Sequence, residues 1–576
     1  MNVSLNHFLQ RLNMRLNSYL HQKLKRMNVE LAFGVPGSFV MPIWQTFKKE
    51  PRIILARHES GAVFMADGWS RATGRLGVAI ATIGPGLTNC VTGVACAYRD
   101  SIPMLVVTGQ APTASFGRGA FLESFDLDRS VSPRALFAPI TKRSLEVVDL
   151  ANARFLIDTA ISLALDGRPG PVHLSIPVDL QSAELPDVPS NFLMPDADLT
   201  AQIRPFKTSE DLEVIAVRLA EAQRPLVLAG WGAAQNHLGS EIADIANHLG
   251  APVITTTKAL SCVPGTNPQM IGHLGPGQRS DLVSMLGEYK PDHILILGAS
   301  LSQYYAQSVD DMLSQAFTTR IDIDPDQLRL RHEPDFAIIG DLRTILPRLR
   351  QEVLALPVQP TQWAERLAAF RDRRSRARGA QASTFRGHIS MSHTIIQVGQ
   401  MLPPDAIVVP DAGNHWLDTI SLHEPGAADG LLLNCGLGAM GWAIGASVGL
   451  ALANLGRRIV CITGDGSALM HGAELSVAAE QGADLLVIIF NNRSHGRVRL
   501  GQKMEFDGDP LGTDLPSVDF SQWMSAMGLI THTVDKPEQL APALIQAASG
   551  GTVGIEVYCH PDEVPAALRN WIEDAS

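Results

Sequence analysis

The chain has 576 residues, of which 45% are hydrophobic and 18% charged, a balance that suits several domains with large buried sheets and excludes a disordered chain or a coiled coil. Its formal net charge of −11 argues against nucleic acid as a main partner. No apolar stretch approaches the roughly 20 residues needed to span a membrane.

Residues Met1 to Arg26 are amphipathic and basic, without a secretory apolar region. They read as a first helix leading to the strand Leu31-Ala32-Phe33, with a transit peptide as the alternative. The block 1–190 then alternates strands and helices, with strands at Gly77–Ile83, Met104–Thr108 and Val172–Ser175. It holds Arg57-His58-Glu59-Ser60, followed by the small, apolar run Gly61 to Ala66. That run implies a buried helix, so Glu59 is read as a buried acid and not as a surface glutamate. A Gly-rich turn, Thr82-Ile83-Gly84-Pro85-Gly86-Leu87-Thr88-Asn89, follows the Gly77 strand.

A second block, 200–352, starts with the strand Pro225–Ala229 and the turn Gly230-Trp231-Gly232. It continues through strands at Pro252–Thr255, His293–Leu297 and Thr319–Ile323, a Rossmann-like pattern. Residues 353–387 read as a linker. Within it, Arg371, Arg373, Arg374, Arg376 and Arg378 form the solvated face of a helix, preferred over an anion or lipid site. The third block, 388–576, holds a strand at Ala406–Pro410, Gly413-Asn414-His415, and Met440 in a glycine-rich run. Six scattered cysteines form no Cys-x-x-Cys pair and read as free thiols in a reducing compartment, so the expected location is the cytoplasm.

The third block also carries Gly464-Asp465-Gly466, separated by 24 residues from Asn491-Asn492. Between them lie a strand, a helix from His471 to Gln481 closed by Gly482, and a strand ending at Phe490. A strand–helix–strand crossover brings both strand ends to the same edge of a parallel sheet, so Asp465 and Asn492 converge. One carboxylate, one amide oxygen and a nearby main-chain carbonyl suit Mg2+, which takes its remaining ligands from phosphates and water. The helix start after Gly466-Ser467 offers N–H groups to an anion. The spacing predicts a magnesium diphosphate site.

Gly-Asp-Gly with the distant Asn-Asn, together with Arg57-His58-Glu59, Ala66-Asp67-Gly68, Gly84-Pro85-Gly86 and Asp100-Ser101-Ile102-Pro103, resembles the thiamine diphosphate (ThDP) enzymes of the acetolactate synthase and pyruvate oxidase-like family. The resemblance runs from about Phe33 to at least Gln502. It implies an α/β fold of three doubly wound, mostly parallel-sheet domains: pyrimidine-binding, Rossmann-like middle and diphosphate-binding. It places Glu59 against N1′ of the cofactor's aminopyrimidine and Met440 as the apolar prop that keeps the cofactor bent. Cofactor contacts fall on Pro85, Asn89, Gly413, Asn414, His415, Gly438, Met440, Gly464, Asp465, Gly466, Ser467, Asn492, His495 and Gly496. The magnesium ligands are Asp465, Asn492 and the Ser494 carbonyl. A homodimer or homotetramer with ThDP between subunits is implied.

The family's activity is decarboxylation of a 2-oxo acid, with transfer of the resulting acyl carbanion (enamine) to an electrophilic acceptor. Three departures bear on it. Phe121-Leu122-Glu123 stands where acetolactate synthases have an active-site amide at the middle position. Gly298-Ala299-Ser300 lacks the arginine of a flavin and substrate contact, so FAD is not expected. Arg497 stands in Gly496-Arg497-Val498-Arg499-Leu500-Gly501 where the family has an apolar residue. A guanidinium suits a carboxylate, so Arg497 reads as a catalytic-site residue for a 2-oxo acid or acceptor with an extra anionic group. The run Gln110 to Gly117 has no histidine to protonate an intermediate, and His495 is the nearest candidate. Carboligation therefore leads, simple decarboxylation to an aldehyde is the alternative, and a non-catalytic cofactor-binding homologue stands third.

Overall fold

The computed structural model describes residues 14–122, 131–186, 209–301, 307–328, 330–358, 363–379, 381–506 and 508–569. Glu123, the first thirteen residues of the amphipathic N-terminal segment, and the side chains of Arg374, Arg376 and Arg378 lie outside the described residues. The chain divides into two compact units. One comprises residues 1–202, 436–455 and 471–483, and the other residues 203–435, 456–470 and 484–576.

The first unit is built on a six-stranded sheet: β1 (Leu31–Gly34), β2 (Arg52–Leu55), β3 (Gly77–Ala81), β4 (Met104–Gln110), β5 (Arg143–Glu146) and β6 (Pro171–Pro177). Their order is β2-β1-β3-β4-β6-β5 and every pairing is parallel. Each residue of β3, β4 and β6 is buried, as a parallel sheet covered on both faces requires.

The Glu59–Thr73 helix is buried from Glu59 to Arg71 and ends at Gly74 in the left-handed conformation, φ +66°. The Trp442–Leu452 helix crosses it at near-contact distance. A Cβ at Gly68 would overlap the Ala446 carbonyl, and one at Gly449 the Met65 carbonyl, so only glycine admits this crossing. A fully buried ionic group fixes the pair. Arg71 donates to Asp67 and, at 2.9 Å, to Asp100, while the Trp442 indole N–H donates to Asp67 at 3.2 Å. Burial raises the Asp67 carboxyl above its ordinary range, and its two acidic partners raise Arg71, so the guanidinium stays charged.

In the second unit, one sheet comprises β7 (Pro225–Ala229), β8 (Val253–Thr256), β9 (Met270–Leu274), β10 (His293–Leu297), β11 (Phe317–Asp322) and β12 (Phe336–Ile339), ordered β12-β11-β10-β7-β8-β9 and parallel throughout. The order reverses between β7 and β10, where an open α/β sheet has its crevice. There the turns after the two strands pack on each other, and the Gly232 N–H donates to the Gly298 carbonyl at 2.9 Å. The proposed linker helix is real (Ala364–Gly379), but it is docked: Leu367 and Phe370 are buried in the core with Tyr289, and Trp363 meets Tyr289 edge-on at 5.0 Å. Arg371 is half-buried and Arg373 exposed.

A short antiparallel hairpin, β13 (Thr384–Phe385) and β14 (His388–Ile389), precedes the last sheet. That sheet comprises β15 (Ile407–Pro410), β16 (Ile459–Gly464), β17 (Leu485–Asn491), β18 (Ile530–Val534) and β19 (Thr552–Tyr558), ordered β15-β16-β17-β19-β18, again parallel. The three large sheets agree with the expected fold class. Among the described residues no helix is long and apolar enough to cross a membrane.

Candidate functional site

In the second unit, β16 and β17 are adjacent, with Gly464 in register with Phe490. Their ends therefore place Asp465 beside Asn492. The Asp465 carboxylate is buried and accepts three backbone N–H groups: Gly466 at 2.8 Å, Asn492 at 3.1 Å and Ser494 at 3.3 Å. The Asn492 amide oxygen accepts the same Ser494 N–H at 3.0 Å. The carboxylate, the amide oxygen and the Ser494 backbone thus share one small volume. The Ser494 carbonyl accepts Gly496 N–H at 2.8 Å and keeps a second lone pair. Burial pushes Asp465 up to about 6 against the pull of these N–H groups, a penalty that a bound cation would cancel. Asn491 does different work. Its amide N–H groups donate to Glu556 (2.7 Å) and to the Val518 carbonyl (3.1 Å), pinning the sheet.

The expected helix from His471 to Gln481 is corrected. A helix begins at Asp465 itself and runs to His471, a 3-10 turn spans Gly472–Glu474, and a second helix covers Leu475–Glu480 before Gly482 at φ +64°. Gly466 and Ser467 therefore sit inside a first helical turn, because the strand passes into helix with no intervening loop.

The Asn414–Leu422 helix brings its first turn to the same place. Gly413 caps it at φ +153°, where a Cβ would strike the His415 ring. A Cβ at Gly496 would meet the amide nitrogens of both Asn492 and Asn414. Three buried polar atoms here have no hydrogen-bond partner among the described residues: Asn414 Oδ1, His415 Nε2 and Ser467 Oγ. Leaving such atoms unmet costs roughly 1–3 kcal/mol each. Burial also lowers His415 to about 4, so the ring is neutral and can donate one N–H. Orphaned polar groups, a helix N-terminus and close-approach glycines fit a diphosphate, and the oxygen donors fit magnesium. Among the described residues no group of three His, Cys, Asp or Glu side chains could hold a metal ion.

His495 is half-buried and caps the Gly496–Glu505 helix, its N–H donating to the Thr513 carbonyl at 2.8 Å. That helix buries none of its residues. Arg497 is exposed, with no hydrogen bond or ion pair among the described residues, whereas Arg499 is bound to Asp562 (2.9 Å) and Asp514 (3.0 Å). The two arginines divide: Arg499 is held by two carboxylates, and Arg497 is exposed.

In the first unit, Glu59 is buried at the start of its helix, and Asn89 Nδ2 donates to its carboxylate at 2.9 Å. Ser60 Oγ donates to the Asn89 carbonyl at 2.6 Å, which joins the two predicted segments. Pro85 is exposed on the short Pro85–Asn89 helix, and Leu122, in place of an amide, packs beside Gly84. Met440 is half-buried and Gly438 is exposed, at φ +71°, in the loop before the Trp442 helix. Two residues were not singled out from sequence. Asp411 accepts the Thr463 hydroxyl at 3.0 Å and steadies the turn before Gly413. Glu474 is the second, an acid inside an otherwise small and apolar helical stretch, and that mismatch was its sequence signal.

The chain belongs to the thiamine pyrophosphate enzyme family. Residues 14–129 match the thiamine pyrophosphate enzyme N-terminal TPP binding domain, 212–349 the central domain, and 411–557 the C-terminal TPP binding domain. Within that class it is similar to acetolactate synthase large subunits. That of Parasynechococcus marenigrum is 31% identical over 503 residues, covering 85% of this chain and 78% of its own. Those of Corynebacterium glutamicum and Lactococcus lactis are each 29% identical, covering 91% and 95% of this chain and 83% and 94% of their own lengths. The protein is a ThDP-dependent enzyme of acetolactate synthase-like type.

Proposed function

We propose that the protein decarboxylates a 2-oxo acid and transfers the acyl unit to an electrophilic acceptor, using ThDP and Mg2+. The observation that carries this reading is the convergence of Asp465, Asn492 and Ser494 beside the unpartnered polar atoms of Asn414, His415 and Ser467. Bound ThDP supplies the electron sink that lets a carbonyl carbon act as a nucleophile. Asp465, Asn492 and the Ser494 carbonyl hold the metal. Asn414, His415, Ser467 and the N–H groups around Gly413, Gly464 and Gly466 hold the diphosphate, with His495 and Gly496 closing the loop.

Glu59, held by Asn89, shares a proton with the aminopyrimidine N1′, and buried surroundings favour such sharing. Met440 and Gly438 support the cofactor, and Pro85 borders the pyrimidine pocket. Arg497 takes an anionic group of the donor or acceptor. The working form is a homodimer or homotetramer with ThDP between subunits. FAD is not a cofactor, a reading supported by Ser300; one-to-one flavin absorbance released on denaturation would overturn it.

The test of the main reading is incubation with a panel of 2-oxo acids, with and without aldehyde or keto-acid acceptors, followed by mass analysis. Carboligated products are expected. Aldehyde alone, at the rate of carbon dioxide release, would make the protein a simple decarboxylase, and no carbon dioxide with any acid would make it a non-catalytic homologue.

A further inference from the structure

We propose that Glu474 is the positioning residue for Glu59: its carboxylate clamps the backbone that launches the Glu59 helix and so sets where the Glu59 carboxyl stands. The inference rests on the reading that Glu59 engages the cofactor's aminopyrimidine, and it concerns the first unit alone.

Glu474 is 1% exposed. Its carboxylate accepts the Arg57 N–H at 3.0 and 3.2 Å and the His58 N–H at 2.9 Å. A Cβ on Gly61 would overlap this carboxylate, so the acid lies directly over the first helical turn. The next residues are held in the same way. His58 Nδ1 accepts Ser60 N–H at 3.1 Å, Ser60 Oγ donates to the Asn89 carbonyl, and Asn89 returns a hydrogen bond to Glu59. Each residue from Arg57 to Ser60 is thus tied, and Glu474 is the anchor of the chain. A carboxylate suits the role because the N–H groups at a helix start favour negative charge.

The clamp also carries a charge that can change. Burial pushes Glu474 up to about 7, the Arg57 and His58 N–H groups and the Arg57 guanidinium oppose the rise, and the Glu59 carboxylate adds to it. The titratable groups around it are Arg57, which pairs with Glu480 at 2.6 Å, together with His58, Glu59 and His471, whose ring lies 6.1 Å from that of His58. An anionic Glu474 accepts the Arg57 and His58 N–H groups more strongly than a neutral one, so its charge sets how firmly the Glu59 helix start is held. A neutral one weakens the clamp.

The test compares full-length wild type, E474Q and E59Q. In the ThDP-loaded proteins, proton exchange at C2 of the cofactor is followed by NMR after acid quench from pH 5.5 to 8.5. E474Q is expected to slow exchange by about 10- to 100-fold, the scale of a misplaced reacting group, and to lose an inflection near pH 7 that wild type shows. Its ThDP affinity, by fluorescence titration, is expected to stay within about 3-fold, since the Glu474 carboxylate is engaged by the Arg57 and His58 N–H groups.

Without cofactor, thermal unfolding gives a second readout. The folded-state value of Glu474 lies above the unfolded one, so its contribution is present at low pH and lost as pH rises through about 7. The melting temperature of wild type relative to E474Q should therefore fall between pH 5 and pH 8. Exchange in E474Q within twofold of wild type with the same pH profile would overturn the proposal, and so would a loss uniform in pH accompanied by lost ThDP affinity. If E59Q exchanges as fast as wild type, the role of Glu59 itself fails. If E59Q is slow and E474Q is not, only the role of Glu474 fails.

Discussion

Replacing Asp465 tests the metal site most sharply, and the structure dictates which replacement to use. Asp465→Ala removes a metal ligand but also the acceptor for the N–H groups of Gly466, Asn492 and Ser494. At roughly 1 kcal/mol per hydrogen bond, the alanine variant loses about 3 kcal/mol of local stability before any metal is considered. It would lose cofactor through a collapsed loop whether or not Asp465 binds magnesium. Asp465→Asn is the better perturbation, because its amide oxygen still accepts the Asn492 and Ser494 N–H groups on one side while the negative charge is gone. The expected loss in apo stability is about 1 kcal/mol, the Gly466 bond alone.

The expected loss in Mg2+-dependent ThDP affinity is at least about 100-fold, equivalent to roughly 3 kcal/mol. Calorimetric titration of ThDP at fixed Mg2+, with urea unfolding of the apo protein as the companion measurement, separates the two effects. If Asp465→Asn binds ThDP with wild-type affinity and unchanged magnesium dependence, Asp465 is a hydrogen-bond hub and the metal assignment is wrong.

Glu59→Gln should retain ThDP while slowing C2 deprotonation by roughly two to four orders of magnitude; wild-type exchange would remove Glu59 from the proton transfer. Arg497→Met should raise KM for a substrate with an extra anionic group by the equivalent of about 2 kcal/mol, with little effect on a neutral 2-oxo acid. Equal effects on both would leave Arg497 a surface residue. Asp418 is buried, accepts the Ser392 hydroxyl at 2.8 Å and the Ala566 N–H at 2.6 Å, and is pushed by burial up to about 7. Its folded value lies above the unfolded one, so its stabilisation is present at low pH and lost as pH rises through 7. Asp418→Asn should match wild type near pH 5 and exceed it at pH 8.5, by on the order of 2 kcal/mol, in urea unfolding. A stability difference that does not grow with pH would show that Asp418 does not titrate there.

The strands of the sheet centres were legible because a parallel sheet covered on both faces needs unbroken apolar runs, and β7 and β10 fall at the positions read from sequence. The edge strand β15 was read from sequence, but the edge strands β2 and β18 were not. β2 shows only one buried residue among four and β18 only one among five, so neither forms the long buried run that marks the sheet centres. The Gly-Asp-Gly and Asn-Asn spacing was enough to bring Asp465 to Asn492, because a right-handed crossover between neighbouring parallel strands has one outcome. Local pattern could not reveal that the helix begins at Asp465, that the arginine-rich helix docks through Leu367 and Phe370, or that Arg499 is tied to Asp562 and Asp514 while Arg497 has no partner among the described residues. Nor could it reveal that Glu474, 415 positions after Glu59, closes over the turn that carries it. Periodicity and spacing act within a few turns of chain, so they specify elements and their neighbours. Which buried charge meets which backbone N–H depends on contacts between segments hundreds of residues apart, and those exist only once the sheets and helices have packed.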